Sequence, residues 1–245
     1  MKISQENKEI TKMKILAAGV ELIIEKGFKD ASMREIAQRA GVSNPTIYNY
    51  FPTKEQMLYA YIEWKHQQTR EILGTIEGFE NYTLREQLQT LIETELELYL
   101  EDREFILQIS EMVFHSSSLK LDSLYATNRL FVDTAAEMIS IAIEAGEIEK
   151  PPFEEYLPKL FWDYFVVVVA YWVKDESKSF ENTTQFIDHS MGVIEAILNS
   201  SLLNKASDLG MFLFKNHLLS ALTRLSTQPS RMGKIKRKLG EVFRG

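Results

Sequence analysis

The chain reads as an all-α protein: an N-terminal three-helix, helix-turn-helix head followed by a larger helical body. Three observations predict this. Apolar residues recur at helical spacing from Ile15 to beyond residue 200. Ser or Thr followed three residues later by Glu or Gln, the signature of a capped helix start, recurs at Ser32, Thr53 and Thr83. Eleven glycines and six prolines in 245 residues are too few for a turn-rich sheet fold.

The first helix is expected from about Lys8 to Lys26, with Ile15, Ala18, Gly19, Leu22 and Ile23 on one face and Gly27 closing it. Ser32 with Glu35 opens a short second helix whose inner face is Met33, Ile36, Ala37 and Ala40. Gly41 ends it and Ser43 caps a third helix almost at once, which is the layout of a helix-turn-helix. In that third helix Ile47, Tyr50 and Phe51 face inward, Pro45 sits in the tolerant first turn, and Asn44, Thr46, Tyr48 and Asn49 face out. The outward face carries no charge. It offers amides, hydroxyls and a phenol, groups that donate or accept at base edges and phosphate oxygens. Pro52 stops the helix, and Thr53 with Gln56 reads as another capping box opening a long fourth helix. Lys54 lies in its first turn, against the dipole preference, which a phosphate partner explains better than helix stability.

The run TKMKILAAGVELIIEKGFKDASMREIAQRAGVSNPTIYNYFPTKEQML resembles the DNA-binding domain of the TetR family of bacterial transcriptional regulators. The R-E-I-A-x-x-A-G-V-S core and the Y-x-Y-F-x-x-K-E ending carry the likeness. It implies that Ser32 contacts phosphate and Arg34 reaches the groove, with Ser43 at the start of the reading helix. Asn44 matches a position often held by a DNA-contacting lysine, and Pro45 replaces a small residue, often glycine. Thr46 and Tyr48 match positions that touch bases or backbone, Asn49 a backbone-contacting position, and Lys54 a phosphate-binding lysine. The departures at Asn44 and Pro45 leave the operator sequence open.

The organisation that follows is a head over residues 1–53, a helical regulatory and dimerisation body over 54–201 in which 54–77 connects the two, and a C-terminal extension over 202–245. Further helices are expected from Thr83 to about Glu101, from a cap at Asp102 to about His115, from Ser117 or Ser118 to Gly146, from Glu154 to about Val173, and from about Thr183 to Ser201. Phe165 to Val169 has strand propensity, yet no partner strand is in sight and helical burial overrides it. Leu160 to Val173 is the most apolar stretch, too short for a membrane span and interrupted by Asp163.

The resemblance implies that the last two of those helices form a four-helix interface with their twins in a homodimer. The broad apolar stripes Phe161, Phe165, Val168, Val169 and Trp172, then Ile187, Met191, Ile194 and Leu198, are the expected surface; an intramolecular core is the alternative. A pocket for a small apolar effector is implied too, and Tyr99, Phe105, Met112, Phe114, His115, Tyr125, Phe131, Trp162 and Tyr164 are the candidate lining.

Charge is uneven. Residues 1–70 hold eleven Lys/Arg against eight Asp/Glu, residues 71–230 eleven against twenty-six, and residues 231–245 six against one. Double-stranded DNA contact therefore belongs to a basic end. The tail Ser230 to Gly245 has Ile235, Leu239, Val242 and Phe243 on one face. It fits a helix packed on the body, an arm adding DNA or partner contact, or a membrane-surface helix.

With no cysteine, thiolate metal sites, disulfides and Cys nucleophiles are excluded. Histidines 66, 115, 189 and 217 show no metal-ligand spacing, and no phosphate-cradling loop or nucleophile elbow occurs. Glu93, Glu95 and Glu97 read as helix-surface charges. The expectation is a regulator with no metal and no cofactor, not an enzyme. It would be a homodimeric repressor in the cytoplasm, since the N-terminus lacks a secretory signal. The alternatives are an activator, a regulator acting through a protein or membrane partner by its C-terminal extension, and a helical adaptor that binds no DNA.

Overall fold

The computed structural model describes residues 5–115, 128–152, 154–200 and 205. Nine helices lie among them: α1 Gln5–Lys26, α2 Met33–Arg39, α3 Asn44–Tyr50, α4 Lys54–Leu73, α5 Leu84–Tyr99, α6 Arg103–His115, α7 Arg129–Glu144, α8 Leu157–Trp172 and α9 Glu181–Leu198. No strand occurs among the described residues. The chain falls into two compact units, residues 1–149 with 153–195, and residues 150–152 with 196–245. The packing below belongs to the first, apart from the burial given for Leu198.

Local chemistry sets the boundaries. Ser32 and Glu35 form a reciprocal capping box, as do Thr83 and Glu86. Thr53 accepts from the Gln56 backbone N–H, but no return bond from Gln56 is made, so the expected box is a single cap. Asp102 does not cap α6 through its carboxylate. Its Oδ2 accepts the Tyr61 hydroxyl at 2.7 Å and lies 3.2 Å from Lys65 Nζ, knitting α4 to the α5–α6 turn. α2 ends with Gly41 at φ +68°, Val42 N–H bonding Ala37 O and Gly41 N–H bonding Gln38 O. That left-handed cap turns the chain sharply into α3. α4 stops at Leu73, four residues short of the expected end. α7 ends at Glu144 ahead of Gly146, as expected, while its predicted beginning at residues 117–118 lies outside the described residues.

Around the head, Ile15, Ile23, Ile36, Ile47 and Leu58 are fully buried, and Gly19 leaves room for the Met57 side chain of α4. In the body, aromatic rings fill the space between α4, α5, α7 and α8. Phe131 stacks on Phe165 with centroids 4.7 Å apart and on Phe161 at 5.8 Å, Tyr99 stacks on Phe165 at 6.4 Å, and Trp162 meets Phe131 edge-on at 5.3 Å.

This packing corrects the expected dimer surface. Phe161, Phe165, Val168 and Trp172 on α8, with Ile187 and Met191 on α9, are buried by the chain's own helices, whereas Val169, Ile194 and Leu198 are half-buried. The cause is that α8 is apolar on both faces, so side-chain bulk does not say which one turns inward. The other face remains exposed. Leu160, Val167 and Tyr171 of α8 and Val193 of α9 are 56, 52, 44 and 59 % exposed. With half-buried Tyr164, Phe186 and Ser190 they make two rows at helical spacing, 160/164/167/171 and 186/190/193. Tyr164 and Ser190 share a hydroxyl hydrogen bond at 2.6 Å and Tyr171 stacks on Phe186 at 5.0 Å, joining the rows into one strip.

The pocket expectation changes as well. Tyr99, Phe105, Phe131 and Trp162 interlock as core instead of lining an open cavity, and Tyr164 turns toward α9. Large rings at helical spacing satisfy one another before they leave space. The open clefts have other walls: one of about 540 Å³ includes Lys12, Trp64 and Arg129, another of about 230 Å³ includes Leu96, Trp172 and Phe180. The side chains of Met112, Phe114 and His115, and Tyr125 entirely, lie outside the described residues, as does the extension apart from Lys205.

Candidate nucleic-acid interface

α3 is a two-turn helix held by one deep anchor. Ile47 is completely buried and Phe51 nearly so, which fixes both rotation and height on the head. Ser43 caps the helix through the Thr46 N–H at 3.3 Å and shares a 2.7 Å hydrogen bond with the Thr46 hydroxyl. Asn44, Pro45, Tyr48 and Asn49 are exposed and Thr46 is half-buried, so the uncharged face read from the sequence is presented as a continuous strip. Tyr48 is the largest group on it, 51 % exposed. Ser32 and Arg34 are exposed at the start of α2, on the approach to that strip.

Charges behind the strip are committed to structure. The Arg39 guanidinium forks onto Glu25 at 2.7 and 2.6 Å, tying α2 to α1. Lys26 bonds Glu35 at 2.6 Å. That bond, with those from Ser32, brings the Glu35 carboxyl down to about 2. Arg34, by contrast, has no ion-pair partner among the described residues.

Lys54 departs from the expectation. Its Nζ donates to the carbonyls of Phe28, of Ala31 at 2.6 Å and of Lys29 at 3.3 Å, and it lies 4.7 Å from the centre of the Phe28 ring. Burial holds its pKa below the ordinary lysine value. Three carbonyls use the three N–H donors of an ammonium. The positive charge at the start of α4 is thus explained inside the chain: it clamps the α1–α2 turn to α4, and no phosphate is needed to account for it.

The body contains a second polar feature that the sequence reading passed over. His66 of α4 and Glu95 of α5 are 2 and 0 % exposed, with Nδ1 and Oε1 2.6 Å apart. His66 Nε2, Glu95 Oε2 and Trp162 Nε1 are buried without a hydrogen-bond partner among the described residues. Glu95 is therefore not a surface charge. The signal was present: Leu88, Leu91, Ile92, Glu95 and Tyr99 share one stripe of α5, and every one is buried.

Family models and known proteins are similar to this chain. Residues 15–61 match the model of the bacterial regulatory proteins, tetR family, and residues 87–213 match the tetracyclin repressor-like C-terminal domain. The fatty acid metabolism regulator protein of Bacillus subtilis is 25 % identical over 167 residues, 68 % of this chain and 85 % of that one. The regulator EthR of Mycolicibacterium smegmatis is 43 % identical over 49 residues, 20 % of this chain and 23 % of that one. Among solved structures, the regulator FadR from Bacillus subtilis in complex with stearoyl-CoA is similar at a TM-score of 0.57 and 22 % identity, covering 72 % of this chain and 95 % of that one. The Thermus thermophilus FadR repressor in complex with lauroyl-CoA is similar at 0.55 and 19 %, covering 74 and 92 %.

Proposed function

This chain belongs to the TetR family of DNA-binding transcriptional regulators, and on that premise we propose that it is a homodimeric repressor freed from a palindromic operator by a long-chain acyl effector. The observation that carries the DNA reading is the exposed, uncharged strip of α3, rigidly seated on Ile47 and flanked by Arg34. Ser32 and Arg34 engage the backbone and groove edge, and Ser43, Asn44, Pro45, Thr46, Tyr48 and Asn49 face the bases and adjoining phosphates. Each good base contact contributes about 1–3 kcal/mol of discrimination.

Dimerisation is assigned to the exposed strip on α8 and α9 in place of the buried stripes first expected. Pairing that strip with its copy removes from water Leu160, Val167, Tyr171 and Val193, large apolar side chains that the single chain leaves exposed. Two heads then meet half-sites about 34–36 Å apart, or a multiple of that. The acyl class is supported by three of the proteins named above: one is named a fatty acid metabolism regulator, and two are held with stearoyl-CoA and lauroyl-CoA. Action on chromosomal DNA supports a cytoplasmic location. No described helix is long and apolar enough to cross a membrane.

The reading is tested by chromosome-wide footprinting followed by fluorescence anisotropy on the selected site, with and without hexadecanoyl-CoA. Binding of one dimer per palindrome, lost on adding the acyl-CoA, is expected. A protein that protects no palindrome at low ionic strength overturns it.

A further inference from the structure

We propose that Lys29, in the α1–α2 turn, makes the backbone-phosphate contact first expected of Lys54. The proposal rests on the DNA reading above and adds to it a residue that reading does not include.

Five cations lie from Lys26 to Lys54, the stretch that contains α2 and α3: Lys26, Lys29, Arg34, Arg39 and Lys54. Three are engaged inside the head. Lys26 is held by Glu35 at 2.6 Å, Arg39 by Glu25 at 2.6 Å, and Lys54 by its three carbonyls. Arg34 is already assigned to the groove edge. Lys29 is exposed and makes no ion pair among the described residues, not even with Asp30 beside it. The earlier lysines sit elsewhere. Lys8, Lys12 and Lys14 precede Lys26 on α1 by at least twelve residues, about 18 Å along its axis, and Lys12 walls the cleft that includes Trp64 and Arg129.

The turn that carries Lys29 is tied to the elements on either side of the reading helix. Gly27 at φ +85° ends α1, its N–H bonding Ile23 O at 2.8 Å and its carbonyl accepting the Ala31 N–H at 3.1 Å. Ala31 is fully buried, and the Lys29 carbonyl itself accepts from Lys54 Nζ at 3.3 Å. Lys29 therefore stands between Ser32, three residues on at the start of α2, and Lys54, which opens α4 three residues after α3 ends. A phosphate lying along that edge meets the turn.

Hydrogen-bond capacity favours Lys29 over its neighbour. An ammonium bonded to three carbonyls has no N–H left for a phosphate oxygen. An exposed lysine keeps three donors and a full charge on a flexible stem, and as a point charge it engages a phosphate from many directions. Such a contact reads no base; it sets how firmly the head is held and how steeply that hold depends on salt. Loosening the clamp at Lys54 leaves the Lys29 ammonium on the turn, so the salt dependence belongs to Lys29.

The test is fluorescence anisotropy of the full chain on the footprinted operator across about 50 to 200 mM salt. Wild type is compared with Lys29→Gln, Lys29→Arg and, as control, Lys14→Gln, which removes the same charge from an exposed position on α1. Each phosphate contact contributes about 0.9 to the slope of log affinity against log salt. In a symmetric dimer Lys29→Gln should thus reduce the slope by about 1.8 and weaken binding about 60-fold near 100 mM salt. Lys29→Arg and Lys14→Gln should keep the wild-type slope, and the melting temperature of all three variants should match wild type. An unchanged slope in Lys29→Gln refutes the contact. An equal loss in Lys14→Gln also refutes it, since net charge alone would then explain the effect. Should Lys29→Gln fail to fold, Lys29→Ala is judged by the same slope. If no palindrome is protected, the repressor reading falls, and the slopes on random duplex still decide Lys29; if no duplex is bound at all, both fall.

Discussion

Replacing Lys54 by Met separates two roles for one cation. Met keeps much of the aliphatic stem against Phe28 and removes the ammonium with its three carbonyl contacts, to Phe28, Lys29 and Ala31. A net hydrogen bond to a charged group contributes about 1.5–3 kcal/mol, but the turn is half-exposed and its carbonyls regain water, so the three do not add. The expected loss is about 2–4 kcal/mol. At roughly 2–4 °C per kcal/mol for a chain of this length, the melting temperature should fall by about 4–16 °C. Operator affinity should fall with it, because α2 and α3 follow the loosened turn. The slope of log affinity against log salt should stay as in wild type. A lysine on a phosphate contributes about 0.9 to that slope, so a symmetric dimer losing two such contacts would lose about 1.8. Differential scanning calorimetry and anisotropy titrations between 50 and 200 mM salt read both quantities. An unchanged melting temperature with a slope reduced by about 1.8 would refute the clamp and restore the phosphate contact.

Tyr48→Ala should weaken operator binding by about 1–3 kcal/mol in the same anisotropy assay and leave melting unchanged, since the ring lies on the exposed face. Val193→Glu should give folded monomers by sedimentation velocity with operator binding lost, whereas Ile187→Glu, at a position 1 % exposed, should unfold. The Glu35 carboxyl, lowered to about 2 from 4.5, stabilises the folded state above the unfolded value, and that stabilisation is lost as pH falls from 4.5 through 2. Melting temperature should therefore drop more steeply across that window in wild type than in Glu35→Gln. Equal slopes would remove Glu35 from the acid response.

The head was legible in the sequence because its signals are local. Ser32 with Glu35, Gly41 and Ser43 each act within a few residues, and of the residues expected inward on α3 Ile47 is the one fully buried. Lys54 shows the limit of that reading: its partners lie 23 to 26 residues earlier, in a turn whose carbonyls have no sequence signature. On α8 the obstacle was different. Aromatic and aliphatic residues cover both sides, so which row meets α7 and which meets water depends on the packing of the whole body, and Phe165 went inward while Val167 did not. The His66–Glu95 pair was legible by periodicity along α4 and α5, but composition alone files a glutamate under surface.

The fork by which Arg85 of α5 holds Asp188 at 2.7 Å and Glu195 at 3.1 Å bears on how motion is shared. Those two acids sit two turns apart on α9, so a single guanidinium resists sliding of one helix along the other in both directions. Glu95 rides on α5, and the row containing Val193 rides on α9. The helix that carries half of the inner polar couple is thereby pinned to the helix proposed to meet the twin.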